Sequence, residues 1–110
     1  AIECISCTAV TIDSSSFIAN SAVSGGAIKL ENTGTDSNLK GLISNCNFQG
    51  NSASLFGGGV AVVSMHLDIL ASNFTDNSAL QGDGGAVYLR CPSKSCKFAL
   101  RDSNFINNTA

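Results

Sequence analysis

One six-residue pattern, F-x-x-N-[ST]-A, occurs four times in 110 residues. Its phenylalanines are Phe17, Phe48, Phe74 and Phe105. Its asparagines are Asn20, Asn51, Asn77 and Asn108, and its alanines Ala22, Ala53, Ala79 and Ala110. Successive phenylalanines lie 31, 26 and 31 residues apart. An aliphatic residue stands five positions before each Phe (Ile12, Ile43, Ile69, Leu100), and Ser15, Cys46, Ser72 and Ser103 stand two before. Gly25-Gly26-Ala27-Ile28, Gly57-Gly58-Gly59-Val60 and Gly84-Gly85-Ala86-Val87 follow the first three copies, and Ala1-Ile2 fits the end of the same motif. A unit this short cannot bury an apolar face alone. Units must stack and share a core, so the repeat predicts a solenoid.

The apolar runs are short, β-branched and alternate at period 2, which indicates strands. Abundant Gly, Ser and Asn also disfavour helices. The inward pairs of one strand are Ile2 with Cys4, Ile28 with Leu30, Val60 with Val62, and Val87 with Leu89. A second strand carries Val10 with Ile12, Leu67 with Ile69, and Phe98 with Leu100. The F-x-x-N segment makes a third side and the corner leading to Gly-Gly, where glycine permits positive φ or close backbone approach. The expected fold is all-β, a right-handed parallel β-helix of about four coils and three strands per coil over residues 1–110. Coils about 4.8 Å apart would place Phe on Phe and aliphatic on aliphatic in buried rows, with Asn over Asn as an amide ladder. Asn32 to Asn38 and Cys91 to Cys96 read as loops.

F-x-x-N alternating with G-G-A-[IVL] resembles the repeats of the chlamydial polymorphic outer membrane protein family, which occur also in surface proteins of other bacteria, algae and protists. The resemblance covers nearly the whole chain. It implies an extracellular or cell-surface location and a structural or adhesive role, for which glycans or a host or cell-surface receptor are the candidate partners. The residues themselves are read as holding no catalytic set, metal site or cofactor. No outer-membrane barrel is legible in these residues, so secretion by that route has no support here. The chain reads as a mature or excised segment holding a whole number of coils. It is expected to stack end to end with more β-helix, in its own chain or as subunits of a filament.

Other functions find little support. A net charge of −2 with six scattered basic residues offers no nucleic-acid footprint, and no apolar run nears the ~20 residues of a membrane helix. The alternative function is a carbohydrate-active β-helix enzyme, a lyase or hydrolase with clustered outward carboxylates. The carboxylates Glu3, Asp13, Glu31, Asp36, Asp68, Asp76, Asp83 and Asp102 include aspartates in different repeat columns, which does not make such a cluster. His66 beside Asp68 reads as a solvated strand face. Gly82-Asp83-Gly84-Gly85 reads as a turn, since a calcium repeat needs ligands from successive turns. An ice-binding face needs a Thr ladder, and the outward column Glu3, Lys29, Ala61, Tyr88 is not one.

Five cysteines point to disulfides in an exported protein. Cys91 and Cys96 bracket a polar loop that a disulfide would staple. Cys4 and Cys7 form a C-x-x-C in which Cys4 is a buried thiol or part of a structural disulfide. Cys46 stands alone in the serine column. Asn73-Phe74-Thr75 and Asn107-Asn108-Thr109 are the two N-glycosylation sequons.

Overall fold

The computed structural model describes residues 2–34, 38–92 and 96–110. Ala1, Asp36 and the middles of the two long loops lie outside these. The described residues form four stacked coils of strand. The first holds β1 Ile2–Ile5, β2 Ala9–Asp13, β3 Ser16–Ile18 and β4 Ser21–Ser24. The second holds β5 Ile28–Glu31, β6 Lys40–Ser44, β7 Asn47–Gln49 and β8 Ser52–Phe56. The third holds β9 Val60–Val63, β10 His66–Leu70, β11 Asn73–Thr75 and β12 Ser78–Ala79. The fourth holds β13 Val87–Arg90, β14 Phe98–Arg101 and β15 Asn104–Ile106. Each strand pairs in parallel with its counterpart one coil away, giving the sheets β1-β5-β9-β13, β2-β6-β10-β14, β3-β7-β11-β15 and β4-β8-β12. This is a parallel β-helix.

A coil has four sides, not the three expected from the sequence. The segment after each ladder asparagine is a strand of its own, in register Ser21↔Ser52↔Ser78 and Ala22↔Ala53↔Ala79. The positions that pair in all three coils are Ser and Ala, small residues that carry little strand signal. In the fourth coil this side reduces to a single bridge, Ser78↔Thr109.

Tight corners explain how so short a unit closes. Three positions before each Phe, Ser14, Asn45, Ala71 and Asp102 have φ between 48° and 52°. Two positions after each Phe, Ala19, Gly50, Asp76 and Asn107 have φ between 54° and 64°. One left-handed residue turns the chain at each of these corners, a conformation natural to Gly, Asn and Asp and costly for Ala. At the Gly-Gly corner the two glycines do different work. The first, Gly57, has φ 66°. The second, Gly58, lies so close to the next coil that a Cβ there would sit 2.1 Å from the Gly85 carbonyl oxygen.

Burial follows position in the stack. Ile28, Leu30, Val60, Val62, Ile43, Leu67 and Ile69 are fully buried. The sequence predicts rows buried along their whole length, and here the structure differs: Leu100 is 44% and Phe105 40% exposed, because among the described residues only the third coil packs against them.

Two substitutions test this backbone account. Gly58→Ala forces a methyl group into the adjacent coil and is expected to destabilise by about 3 kcal/mol. Ala71→Gly relieves a left-handed alanine and is expected to stabilise by about 0.5–1 kcal/mol, after allowing for glycine's greater chain entropy. Urea denaturation of each variant against the parent reads both signs.

Candidate functional site

The repeated residues converge in the interior, where they form ladders between coils. The rings of Phe17, Phe48, Phe74 and Phe105 stack with centroids 5.0, 4.5 and 4.8 Å apart and interplanar angles of 8°, 4° and 4°. Parallel pairing holds them in register. Phe48 and Phe74 are fully buried, whereas Phe17 is half-buried.

Beside them runs an amide ladder. The Asn20 backbone N–H and Nδ2 both donate to Asn51 Oδ1 at 3.0 Å. Asn51 donates in the same way to Asn77 Oδ1, at 3.0 and 2.9 Å, and Asn77 to Asn108 Oδ1, again at 3.0 and 2.9 Å. Each Nδ2 also reaches a phenylalanine carbonyl of the preceding coil: Asn51 to Phe17, Asn77 to Phe48, and Asn108 to Phe74. One side chain therefore ties three coils. Asn51 and Asn77 are fully buried, and among the described residues no buried side-chain nitrogen or oxygen lacks a partner.

The serine column makes a second polar ladder. Ser15, Ser72 and Ser103 hydroxyls each donate to the carbonyl two residues earlier at 2.9 Å. The hydroxyl of one coil then accepts the backbone N–H of the coil before, as Ser72 does from Cys46 and Ser103 from Ser72. Cys46 fills the same place with a thiol that donates to the Ser44 carbonyl at 3.1 Å. It is the free, buried cysteine among the described residues, and burial pushes its pKa up.

The other cysteines pair as Cys4–Cys7 and Cys91–Cys96. Both disulfides lie where the chain passes from its Gly-Gly-Ala strand to the next side, in the first and fourth coils. Cys4 packs on the apolar core. Of the two states the sequence allows for Cys4, buried thiol or disulfide, the structure has the disulfide.

The outward chemistry is dispersed. Asp13 accepts from Ser44 Oγ at 2.7 Å and Asn45 Nδ2 at 3.2 Å. The Ser44 bond, and then the Asn45 bond, hold its carboxyl below the usual range. Asp68 pairs instead with Lys40 at 2.7 Å. His66 is more engaged than a solvated side chain, since its Nδ1 accepts the Lys97 backbone N–H at 2.7 Å. Asp83 is exposed, and its carbonyl accepts from the Gly57 N–H as part of the corner. Among the described residues no three His, Cys, Asp or Glu side chains are grouped to hold a metal, and no helix is long and apolar enough to cross a membrane. Asn73 and Asn107 are both exposed, and Asn73 Oδ1 accepts from Asn104 Nδ2 at 3.1 Å. Sequence reasoning missed an outer aromatic pair, Phe56 on Tyr88, with centroids 4.6 Å apart. Tyr88 pairs in register with Ala61, which is buried although its column faces outward. Phe56 directly before Gly57-Gly58, and Tyr88 in the outward column after Gly84-Gly85, were the available signal.

Three variants test the ladders. Phe48→Ala removes the centre of the ring stack and is expected to cost about 3–5 kcal/mol. Asn77→Ala strands two buried donors of Asn51 and is expected to cost at least about 3 kcal/mol. Cys46→Ser keeps the donor in its column and is expected to fold as the parent does at neutral pH. The raised thiol pKa favours the protonated folded state. That contribution is complete below the ordinary thiol pKa and is lost as pH rises through the folded value. Chemical denaturation against pH is therefore expected to show an alkaline loss in the parent that is absent from Cys46→Ser.

No curated protein and no solved structure matches the chain. Residues 71–90, from the left-handed Ala71 through Phe74, Asn77 and Gly84-Gly85-Ala86-Val87 to the end of β13, match the Chlamydia polymorphic membrane protein repeat, so the resemblance carried by F-x-x-N and G-G-A-V holds over this unit.

Proposed function

We propose that this chain is a structural or adhesive module of an extracellular or cell-surface protein. It lengthens a stalk or fibre and offers its outer faces to glycans or a receptor. One observation carries the reading: what the repeat holds constant is used inside. Phe, Asn, the aliphatic row and the Gly-Gly corner all bind coil to coil. Outward columns change from coil to coil, as in Glu3, Lys29, Ala61 and Tyr88. A sequence that repeats its interior and varies its exterior specifies a scaffold. The match at residues 71–90 to a repeat of membrane proteins supports a place at the cell surface.

Antibodies raised against this chain are expected to label intact cells of its source. Labelling only after permeabilisation would contradict the reading. Where the source exports the protein through a eukaryotic secretory pathway, Asn73 and Asn107 are expected to carry N-glycans. Peptide mass spectrometry of native material reads their occupancy, and two bare asparagines would remove glycosylation from the account.

A further inference from the structure

We propose that two copies of this chain pair side by side through the fourth side of the coil, the sheet β4-β8-β12, with their solenoid axes parallel. The contact lies along the flank of the solenoid. It goes beyond the reading above and holds wherever the module is located.

Charge is segregated around the coil. The strands of the first two sides carry Glu3, Lys29, Lys40, Asp68, Arg90 and Arg101, among others. The strands of the third and fourth sides carry no charged residue and no histidine. On the fourth side this neutrality coincides with exposed aliphatic side chains. Val23 is 63%, Leu55 37% and Leu80 70% exposed. They come from three successive coils and form a ridge along the flank. Leu55 belongs to the second coil, which has a coil on either side, so its exposure is sideways and owes nothing to the ends of the stack. A contiguous apolar strip of this kind marks an interaction surface, and the core of a protein contact is depleted in charge.

The occupant follows from the shape of the face. Side chains alternate across a strand. Ala53 and Ala79 are buried, so their neighbours point outward. Before the alanines stand Ser21, Ser52 and Ser78, in register as one row of small residues. The Ser52 and Ser78 hydroxyls meet at 3.4 Å, which serves these polar groups within the row. After the alanines stand Val23, Leu80 and, where the β4-β8 register shifts at a bulge, Leu55. A trough of serines therefore runs beside a ridge of aliphatics. A two-fold axis parallel to the solenoid lays the ridge of a second copy in the trough of the first, and the reverse, with each coil opposite its own counterpart. A two-fold axis across the solenoid would set ridge on ridge. A different protein would bring charged residues, about a quarter to a third of an ordinary surface, against a face that has no charge to pair them. The same face of a second copy brings none. The contact is isologous and closes as a dimer. Three coils of one sheet give an area at the low end of specific interfaces, so the pair is weak and reversible.

Sedimentation equilibrium tests the contact. Leu80→Lys puts an ammonium group on the ridge, at a position already exposed. Thr11→Lys puts one on the exposed second side. The parent and Thr11→Lys are expected to dimerise alike, with little dependence on salt, and Leu80→Lys to dimerise more weakly by at least about tenfold with an unchanged urea midpoint. Cysteine pairs read the orientation. Under mild oxidation, Val23→Cys mixed with Ser21→Cys is expected to form a disulfide-linked heterodimer. Leu80→Cys mixed with Ser21→Cys is expected to form none, since those positions lie two coils, or about 10 Å, apart along the axis. A parent monomeric up to about 1 mM would overturn the proposal and leave the ridge to another partner. Association that survives Leu80→Lys, or Leu80→Cys joining Ser21→Cys as readily as Val23→Cys does, would overturn it as well. Surface labelling reads location and these measurements read pairing, so the two readings fail separately.

Discussion

Each interior asparagine amide is fixed from three directions. Asn51 Oδ1 takes two hydrogen bonds from the first coil, while its Nδ2 reaches back to the Phe17 carbonyl and forward to Asn77 Oδ1. These groups are buried, and an unpaired buried amide costs about 1–3 kcal/mol per missing partner. A coil slipped by one residue would lose the whole set and turn its apolar side chains outward. Register is therefore decided at the asparagine. The face-to-face phenylalanines and the aliphatic row, which tolerate small shifts, follow from it.

That constraint also says where the coils vary in length. The corner before each Phe strand has two residues in every coil, and so does the corner after it. Each is a left-handed residue followed by a ladder residue, either Ser or Cys, or Asn. An insertion there would break a ladder. The other two corners hold no ladder side chain and differ in length between coils. They carry the long loops, and both disulfides sit at one of them. Closing short rings there restrains the unfolded chain only modestly, which fits a local staple at the variable corner.

Most of the stacking was legible in the sequence, because identical residues at repeat spacing in a parallel stack must lie over one another. Phe17↔Phe48 and Ile12↔Ile43 fall in register for that reason. The fourth side was not legible, since Ser-Ala pairs pack by their smallness and give no alternating apolar signal. The left-handed corners were half legible. Asn45, Asp102, Gly50, Asp76 and Asn107 are residues that favour positive φ, but Ala19 and Ala71 in the same columns conceal the pattern. Burial at the end coils depends on neighbours rather than on residue type, so Phe105 reads like Phe74 in sequence and differs from it in exposure.

The claim that amide rungs hold the coils in register is tested most directly by residue-resolved hydrogen exchange. The Asn51 and Asn77 backbone N–H groups, each bonded to a buried Oδ1, are expected to exchange only on global unfolding, while the Asn108 N–H exchanges rapidly. Fast exchange at Asn51 and Asn77, with the aliphatic rows still protected, would contradict the account and assign the register to apolar packing alone.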